Sequence, residues 1–164
     1  MDSIPFEMEG YELVRAVGED MDYVLECVRE DILNSVPPDE KDLRDLWIDD
    51  VLQIASDSIE KGTMRDEVFR LVSGRENAGM LWMGVSRDQF TCDETGYLLG
   101  IFVRKDLRGK GLGKELMRAA ERWCRTNGLT DLTLNVGASN ECAKGLYRRM
   151  GYSERSTVMR RMLR

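Results

Sequence analysis

The chain has 164 residues, 33% charged and 42% hydrophobic, with a formal net charge of −6. That length suits one domain, residues 1–164, with its own core, and the acidic balance argues against nucleic-acid binding. There is no histidine, and the four cysteines, Cys27, Cys92, Cys124 and Cys142, form no C-x-x-C pair; Ser-His and Cys-His triads are thereby excluded, and a metal site has almost no ligand set. No apolar run approaches the roughly 20 residues that span a bilayer. Scattered cysteines without a signal peptide point to the cytoplasm. Acidic residues crowd the chain between Asp20 and Glu67, and basic ones from Arg104 onward. Such a division suits two ligands of opposite charge, or simply a solvated surface.

After a loose start, residues 11–16 read as a strand. Residues 20–34 read as an amphipathic helix: Asp20 can cap it, and Met21, Val24, Leu25, Val28 and Ile32 share one face. Pro37 and Pro38 break it. A second helix is expected over residues 39–61, with Leu43, Leu46, Trp47, Val51, Ile54 and Ile59 inward and Gly62 as its stop. The period then changes. Residues 67–73 (EVFRLVS) and 80–86 (MLWMGVS) read as a hairpin joined by a turn over 74–79. A polar loop, 87–95, leads to GYLLGIFV at 96–103, an apolar run expected of a central strand buried on both faces. Gly100 inside it marks a bulge or a close backbone approach.

A helix follows to about Asn127, with Leu116, Ala119, Ala120 and Trp123 inward and Gly128 as cap. Residues 131–136 alternate as a strand. Residues 141–150 form a helix headed by Ser139 or Asn140 and stopped by Gly151, and residues 152–163 supply one or two short final strands. Cys124 and Cys142 fall on helices, where small buried hydrophobes are usual. The order predicts a mixed α/β domain.

The stretch RGKGLGKEL, Arg108–Leu116, puts three glycines where a helix is about to begin, although glycine costs about 1 kcal/mol inside one. Amides at a helix start lack partners and carry partial positive charge. Glycines let such a backbone approach a phosphate, with Arg108, Lys110 and Lys114 adding cations. A tight turn with no ligand is the plainer alternative. The P-loop pattern fails, because Glu115 stands where Lys114 should be followed by a hydroxyl. The G-x-G-x-x-G fingerprint fails, because neither position 114 nor 116 is glycine.

The pattern that fits is [QR]-x-x-G-x-G, filled by Arg108, Gly111 and Gly113. Downstream, N-x-x-A-x-x-x-Y-x-x-x-G-[FY] is matched by Asn140, Ala143, Tyr147, Gly151 and Tyr152. With both motifs in order, the chain resembles the GNAT superfamily of acetyl-CoA-dependent N-acetyltransferases. The resemblance implies a mostly antiparallel central sheet with helices on both faces. It implies that residues Arg108, Gly109, Lys110, Gly111, Leu112, Gly113 and Lys114 hold the CoA pyrophosphate. It further implies that the strand 96–103 splays from 131–136, so that pantetheine pairs with the main chain at Ile101 and Val103. The Ile101 amide would polarise the thioester carbonyl, and Tyr147 would protonate the departing thiolate. Asn140 would contact pantetheine or cap its helix; for Tyr147 the two motifs together favour the functional role over the alternative of a tyrosine packing its helix onto the sheet.

Two departures stand out. Lys105 replaces a frequent proline, and Tyr97 occupies the position where many family members carry a glutamate base. Glu94, or Asp93 beside it, is the substitute base read from the sequence. The implied co-substrate is acetyl-CoA, with no metal; the acceptor is an amine, on a small molecule or on a peptide or protein, and a homodimer is compatible with the family. The acceptor would be held by the first two helices and their loop, about residues 26–41. There Glu26, Glu30, Asp31, Asp39 and Glu40 point to a cationic amine. The rival function is a catalytically weak or inactive acyl-CoA sensor or interaction module, favoured by the missing glutamate.

Overall fold

The computed structural model describes residues 3–37, 44–61, 65–161 and 163, with residues 44–47 in backbone only. The chain runs β1 (Ser3–Ile4), β2 (Glu12–Arg15), α1 (Met21–Ser35), α2 (Arg44–Lys61), β3 (Glu67–Ser73), β4 (Glu76–Arg87), β5 (Glu94–Val103), α3 (Leu112–Thr126), β6 (Leu132–Leu134) and α4 (Glu141–Arg149). The strands form one six-stranded sheet in chain order. Every neighbouring pair is antiparallel except β5 and β6, which run parallel.

Alternation along β3 and β4 builds two cores, one on each face. Phe69, Leu71, Leu81 and Met83 meet Leu112, Leu116, Ala119, Ala120 and Trp123 of α3. Val68, Met80 and Trp82 face the other way and meet Val24, Cys27 and Val28 of α1 and Ala55 of α2. The sheet is therefore covered on both faces, as expected. Among the described residues no helix is long and apolar enough to cross a membrane.

Several local readings need correction. The turn of the first hairpin is shorter than expected: Gly74, at φ 59°, and Arg75 make it, and β4 already begins at Glu76. On α2, Ile54 is 68% exposed, and the inward positions are Ile48, Leu52, Ala55 and Ile59. Their spacing of four, three and four traces one helical face, from which Ile54 is turned away. The expected inward positions Leu43, Leu46 and Trp47, and the Gly62 stop, lie outside the described residues. Asp20 makes no side-chain cap to α1. Its carboxylate instead accepts from the Val17 amide at 2.9 Å and pairs with Arg70 at 3.0 Å. Cys142 is exposed rather than buried.

Residues 152–161 form no strand. Val158 and Met159 are 96% and 91% exposed, so neither face of this segment is buried and alternation has no core to reward it. An Arg155–Asp88 ion pair holds the segment to the loop before β5. The short strand β1, invisible in the sequence pattern, is held by more than its pairing with β2. Arg122 of α3 donates to the Pro5 carbonyl at 2.7 Å. The buried Glu115 accepts from the Glu7 amide at 3.1 Å and from Arg122 at 2.6 Å.

Burial alone would raise the Glu115 carboxyl, but Arg122 and the Glu7 amide outweigh it and hold it below its ordinary 4.5. Its contribution is complete above that unfolded value and is lost as pH falls through the lower folded one. Glu115→Ala should cost about 2 kcal/mol at neutral pH, the usual loss for hydrogen bonds to a charged group. The gap to wild type should narrow in acid. Urea unfolding at pH 7 and pH 3.5 checks both; an equal gap at the two pH values would remove the ionic contribution.

Candidate active site

The site begins with a defect in β5. Trp82 of β4 pairs with Gly100 and Met83 with Leu98, so Leu99 has no partner of its own. That extra residue is a β-bulge, and bulges bend and twist the strand that carries them. On its other edge β5 pairs with β6 only at Gly96–Leu132, Tyr97–Thr133 and Leu98–Leu134. Parallel pairing stops at the residue before the bulge. From Leu99 to Val103, about 16 Å of strand at the usual rise, the edge of β5 that faced β6 is open. The bulge expected near Gly100 and the splay expected between the two strands are thus one structural event.

The glycine turn lies at the downstream end of this edge. Gly109 and Gly111 adopt φ of 78° and 91°, a region in which L side chains are strained. Nothing lies within 4 Å of where a Cβ on either would sit. Gly111 is the N-cap of α3, and no side chain caps the first turn. The first intrahelical bond runs from the Glu115 amide to the Gly111 carbonyl at 3.1 Å. The amides of residues 112–114 therefore have no helical partner. Exposed Lys110 and Lys114 flank them. An open backbone concavity of this charge fits a phosphate group. Gly113 differs from the other two glycines: its φ is not positive, and an added Cβ would meet Leu146 Cδ2 at 3.5 Å, an ordinary contact. Arg108 turns back to the strand instead. Its Nε donates to the Val103 carbonyl at 2.9 Å, and its guanidinium lies 5.7 Å from the centre of the Phe102 ring.

Tyr147 comes from α4 on the α3 face of the sheet, 8% exposed, with its ring 6.0 Å from that of Tyr152. Burial, and then the charge of Asp31, push its phenol up to about 12, so it stays protonated near neutral pH. Asn140 is the N-cap of α4, its side chain accepting from the Ala143 amide at 3.1 Å. Of the two roles read from the sequence for Asn140, capping is the one its contacts show.

Glu94 is not brought to this site. It begins β5, seven residues before Ile101, roughly 20 Å away along the strand. It is exposed and bonded to Arg65 at 2.6 Å. That partner, first by its hydrogen bond and then by its charge, holds the carboxyl below the usual range, the opposite of what a base near neutral pH requires. Asp93 lies just before Glu94, in the loop that leads to β5. Tyr97, at the position where the family often has glutamate, accepts a 2.6 Å hydrogen bond from Asn135 and pins β6 to β5.

The carboxylate that does reach the open edge is Asp31 of α1. Its Oδ2 lies 3.8 Å from where a Cβ on Gly100 would sit; the Ile101 amide and the Arg108 charge pull its carboxyl down, and its own charge raises Tyr147. Among the acids of residues 26–41, Glu30 is paired with Lys105 at 2.9 Å, and Asp39 and Glu40 lie outside the described residues. Sequence reading had only grouped Asp31 with its acidic neighbours. One signal was available: it follows Cys27 and Val28, on the buried face, by one helical turn. Two open cavities, one around Arg15, Glu67 and Trp123 and one around Cys124, Asp131 and Tyr152, include none of Ile101, Arg108 and Tyr147.

Residues 32–152 match the model of the Acetyltransferase (GNAT) family. The uncharacterized N-acetyltransferase YycN of Bacillus subtilis is 27% identical over 114 residues, covering 68% of this chain and 72% of that protein. The uncharacterized N-acetyltransferase YobR of the same organism is 26% identical over 121 residues, 70% of this chain and 48% of that one. The matched region thus spans half to three quarters of these curated relatives. Among solved structures, a putative acetyl transferase from Pyrococcus furiosus superposes with a TM-score of 0.75 at 24% identity, covering 93% of this chain and 99% of its own. AAC(6')-Iy, solved with a bisubstrate analog, CoA-S-monomethyl-acetylneamine, superposes with a TM-score of 0.69 at 18% identity over 94% and 98%. The bulged, one-sided strand and the glycine turn thus lie in a chain that belongs to the GNAT acetyltransferase family.

Proposed function

We propose that the protein transfers the acetyl group of acetyl-CoA to an amine by direct attack, without a covalent enzyme intermediate. The observation that carries this reading is the open edge of β5 lying between an uncapped glycine turn and a buried, protonated tyrosine. Such an edge offers main-chain groups to an extended pantetheine, as an added strand would. The glycine turn and its amides suit the pyrophosphate, with Lys110 and Lys114 alongside. The Ile101 amide suits the thioester oxygen, whose negative charge grows as the amine attacks. Tyr147 suits the thiolate, which needs a proton on leaving. AAC(6')-Iy, which shares the fold, holds a bisubstrate analog, CoA-S-monomethyl-acetylneamine, and this supports the reading. The reading favours an enzyme over a CoA sensor, because a sensor has no use for a buried phenol at the thioester end of the cleft.

The glycines separate binding from folding. Gly111→Ala forces a side chain into left-handed φ, costing about 1 kcal/mol, and narrows the concavity; CoA affinity should fall at least tenfold. Gly113→Ala meets only Leu146 at ordinary contact distance, so affinity and melting temperature should both stay near wild type. Calorimetric titration with CoA distinguishes the two, and equal affinities for Gly111→Ala and wild type would remove the cradle.

Tyr147→Phe tests the chemistry. The phenol acts as the thiolate leaves, so kcat should drop by about 10²–10⁴-fold while acetyl-CoA affinity is kept. The assay is thiol release with a panel of amines. A variant within a factor of about two of wild type, far short of the usual loss for a general acid, would leave Tyr147 as packing only.

A further inference from the structure

The family reading leaves the acceptor's proton without a destination, since Glu94 is far from the cleft and Tyr97, whose phenol burial raises further, is no base near neutral pH. Asp31 is in the right location. The last turns of α1 are clamped over the splayed strands from both sides. Glu30 pairs with Lys105 just beyond β5, and the Ser35 carbonyl packs so closely on Gly137, just beyond β6, that no Cβ fits there. Between these anchors Asp31 projects toward β5 where Gly100 has no side chain; its Oδ2 lies 3.8 Å from where a Cβ on Gly100 would sit. Ile101 follows Gly100, and its amide, the one that suits the thioester oxygen, pulls the Asp31 carboxyl down.

We propose that Asp31 binds the ammonium group of the acceptor and takes its proton. The inference rests on the acetyl-transfer reading above. When the thioester oxygen engages the Ile101 amide, the lowering pull of that amide on the carboxyl weakens and Asp31 becomes a stronger base. An ammonium beside it then passes one proton to the carboxylate. The freed lone pair attacks the carbonyl carbon, and the π pair moves to the oxygen held by Ile101. The C–S bond breaks, the thiolate leaves with its pair and takes the Tyr147 proton, and the second nitrogen proton restores Tyr147 through solvent. Asp31 releases its proton to water, so one proton is produced per turnover.

The surroundings support both halves of the exchange. Burial raises the Asp31 carboxyl to about 6, against the lowering pull of the Ile101 amide and the Arg108 charge. Tyr147 across the cleft feels the Asp31 charge, as does Cys27 on its own helix. Glu30 beside it is paired with Lys105. Protonating Asp31 removes one of the two influences that hold the phenol up, so Tyr147 becomes the stronger acid once the base is loaded. Two titratable groups driven apart by their environment mark an acid and a base.

The test is the pH dependence of kcat/KM from pH 5 to 10 for wild type and Asp31→Asn, with spermidine, a lysine peptide and kanamycin as acceptors. Acetyl-CoA affinity is measured for both proteins by calorimetry. Alkylamines have pKa values near 10. A wild type that uses the ammonium form should rise through about pH 6 and then stay level to about pH 9. Asp31→Asn can use only amine that is already neutral, about 10⁻³ of the total at pH 7 for a pKa near 10. Its kcat/KM should be roughly 10²–10³-fold lower at pH 7 and climb tenfold per pH unit, closing on wild type near pH 10, with acetyl-CoA affinity unchanged. A wild-type profile that itself climbs tenfold per unit, a variant parallel to wild type, or acetyl-CoA binding with none of the cationic amines accepted would each overturn the role of Asp31. A wild type that does not bind acetyl-CoA would instead overturn the acetyl-transfer reading beneath it. The wild-type profile tests the proposal even if the variant fails to fold.

Discussion

One unpaired residue, Leu99, organises this molecule. It bends β5 at the point where parallel pairing with β6 ends. A strand in the middle of a sheet normally spends both edges on its neighbours, and buried amides without partners are costly. The bulge gives β5 two characters: upstream it is a central strand, downstream it is an edge strand in the interior of the fold. An edge strand recruits a partner, and here its amides face a cleft instead of bulk solvent. The Asp31 carboxylate at Ile101 and the Arg108 guanidinium on Val103 are the partners within the chain.

Helices flank that edge on both faces of the sheet. α1 and α4 lie on opposite faces of the sheet, and each sends one titratable side chain to the open segment. The close approach of Ser35 to Gly137 fixes α1 against the end of β6, which otherwise keeps only three paired residues. Glycine recurs here for three different reasons: Gly137 admits a backbone, Gly100 leaves room for the Met80 methyl, and Gly111 adopts a left-handed turn. The cores on the two faces lock the sheet that carries the cleft, so the functional edge rests on rigid elements rather than on loops.

The absence of histidine sets the chemistry within this frame. In the proposed mechanism, proton transfer near neutral pH falls to groups shifted by their surroundings, and burial shifts the Asp31 carboxyl and the Tyr147 phenol upward together. In that proposal, loading one strengthens the other. The two come from helices on opposite faces of the sheet, and the charge of one raises the other.

The sequence by itself determined the local elements and the motif positions. Hydrophobic period placed β3 and the buried run of β5, capping glycines ended α3 and α4, and the two motifs marked Arg108–Gly113 and Asn140–Tyr147. These are legible because they depend on contacts a few residues apart. It did not separate Asp31 from its acidic neighbours, nor Glu94 from the site. Glu94 is close to the cleft in sequence, but an extended strand carries it about 20 Å off, whereas Asp31, seventy residues before Ile101, arrives by helix packing. The exposed face of Ile54 and the unpaired residues 152–161 were misread for a related reason. Apolar residues form a face or a strand only where another element is there to cover them. Which edges pair, which carboxylate is buried and which amide is left open are properties of long-range packing, and only the tertiary structure decided them.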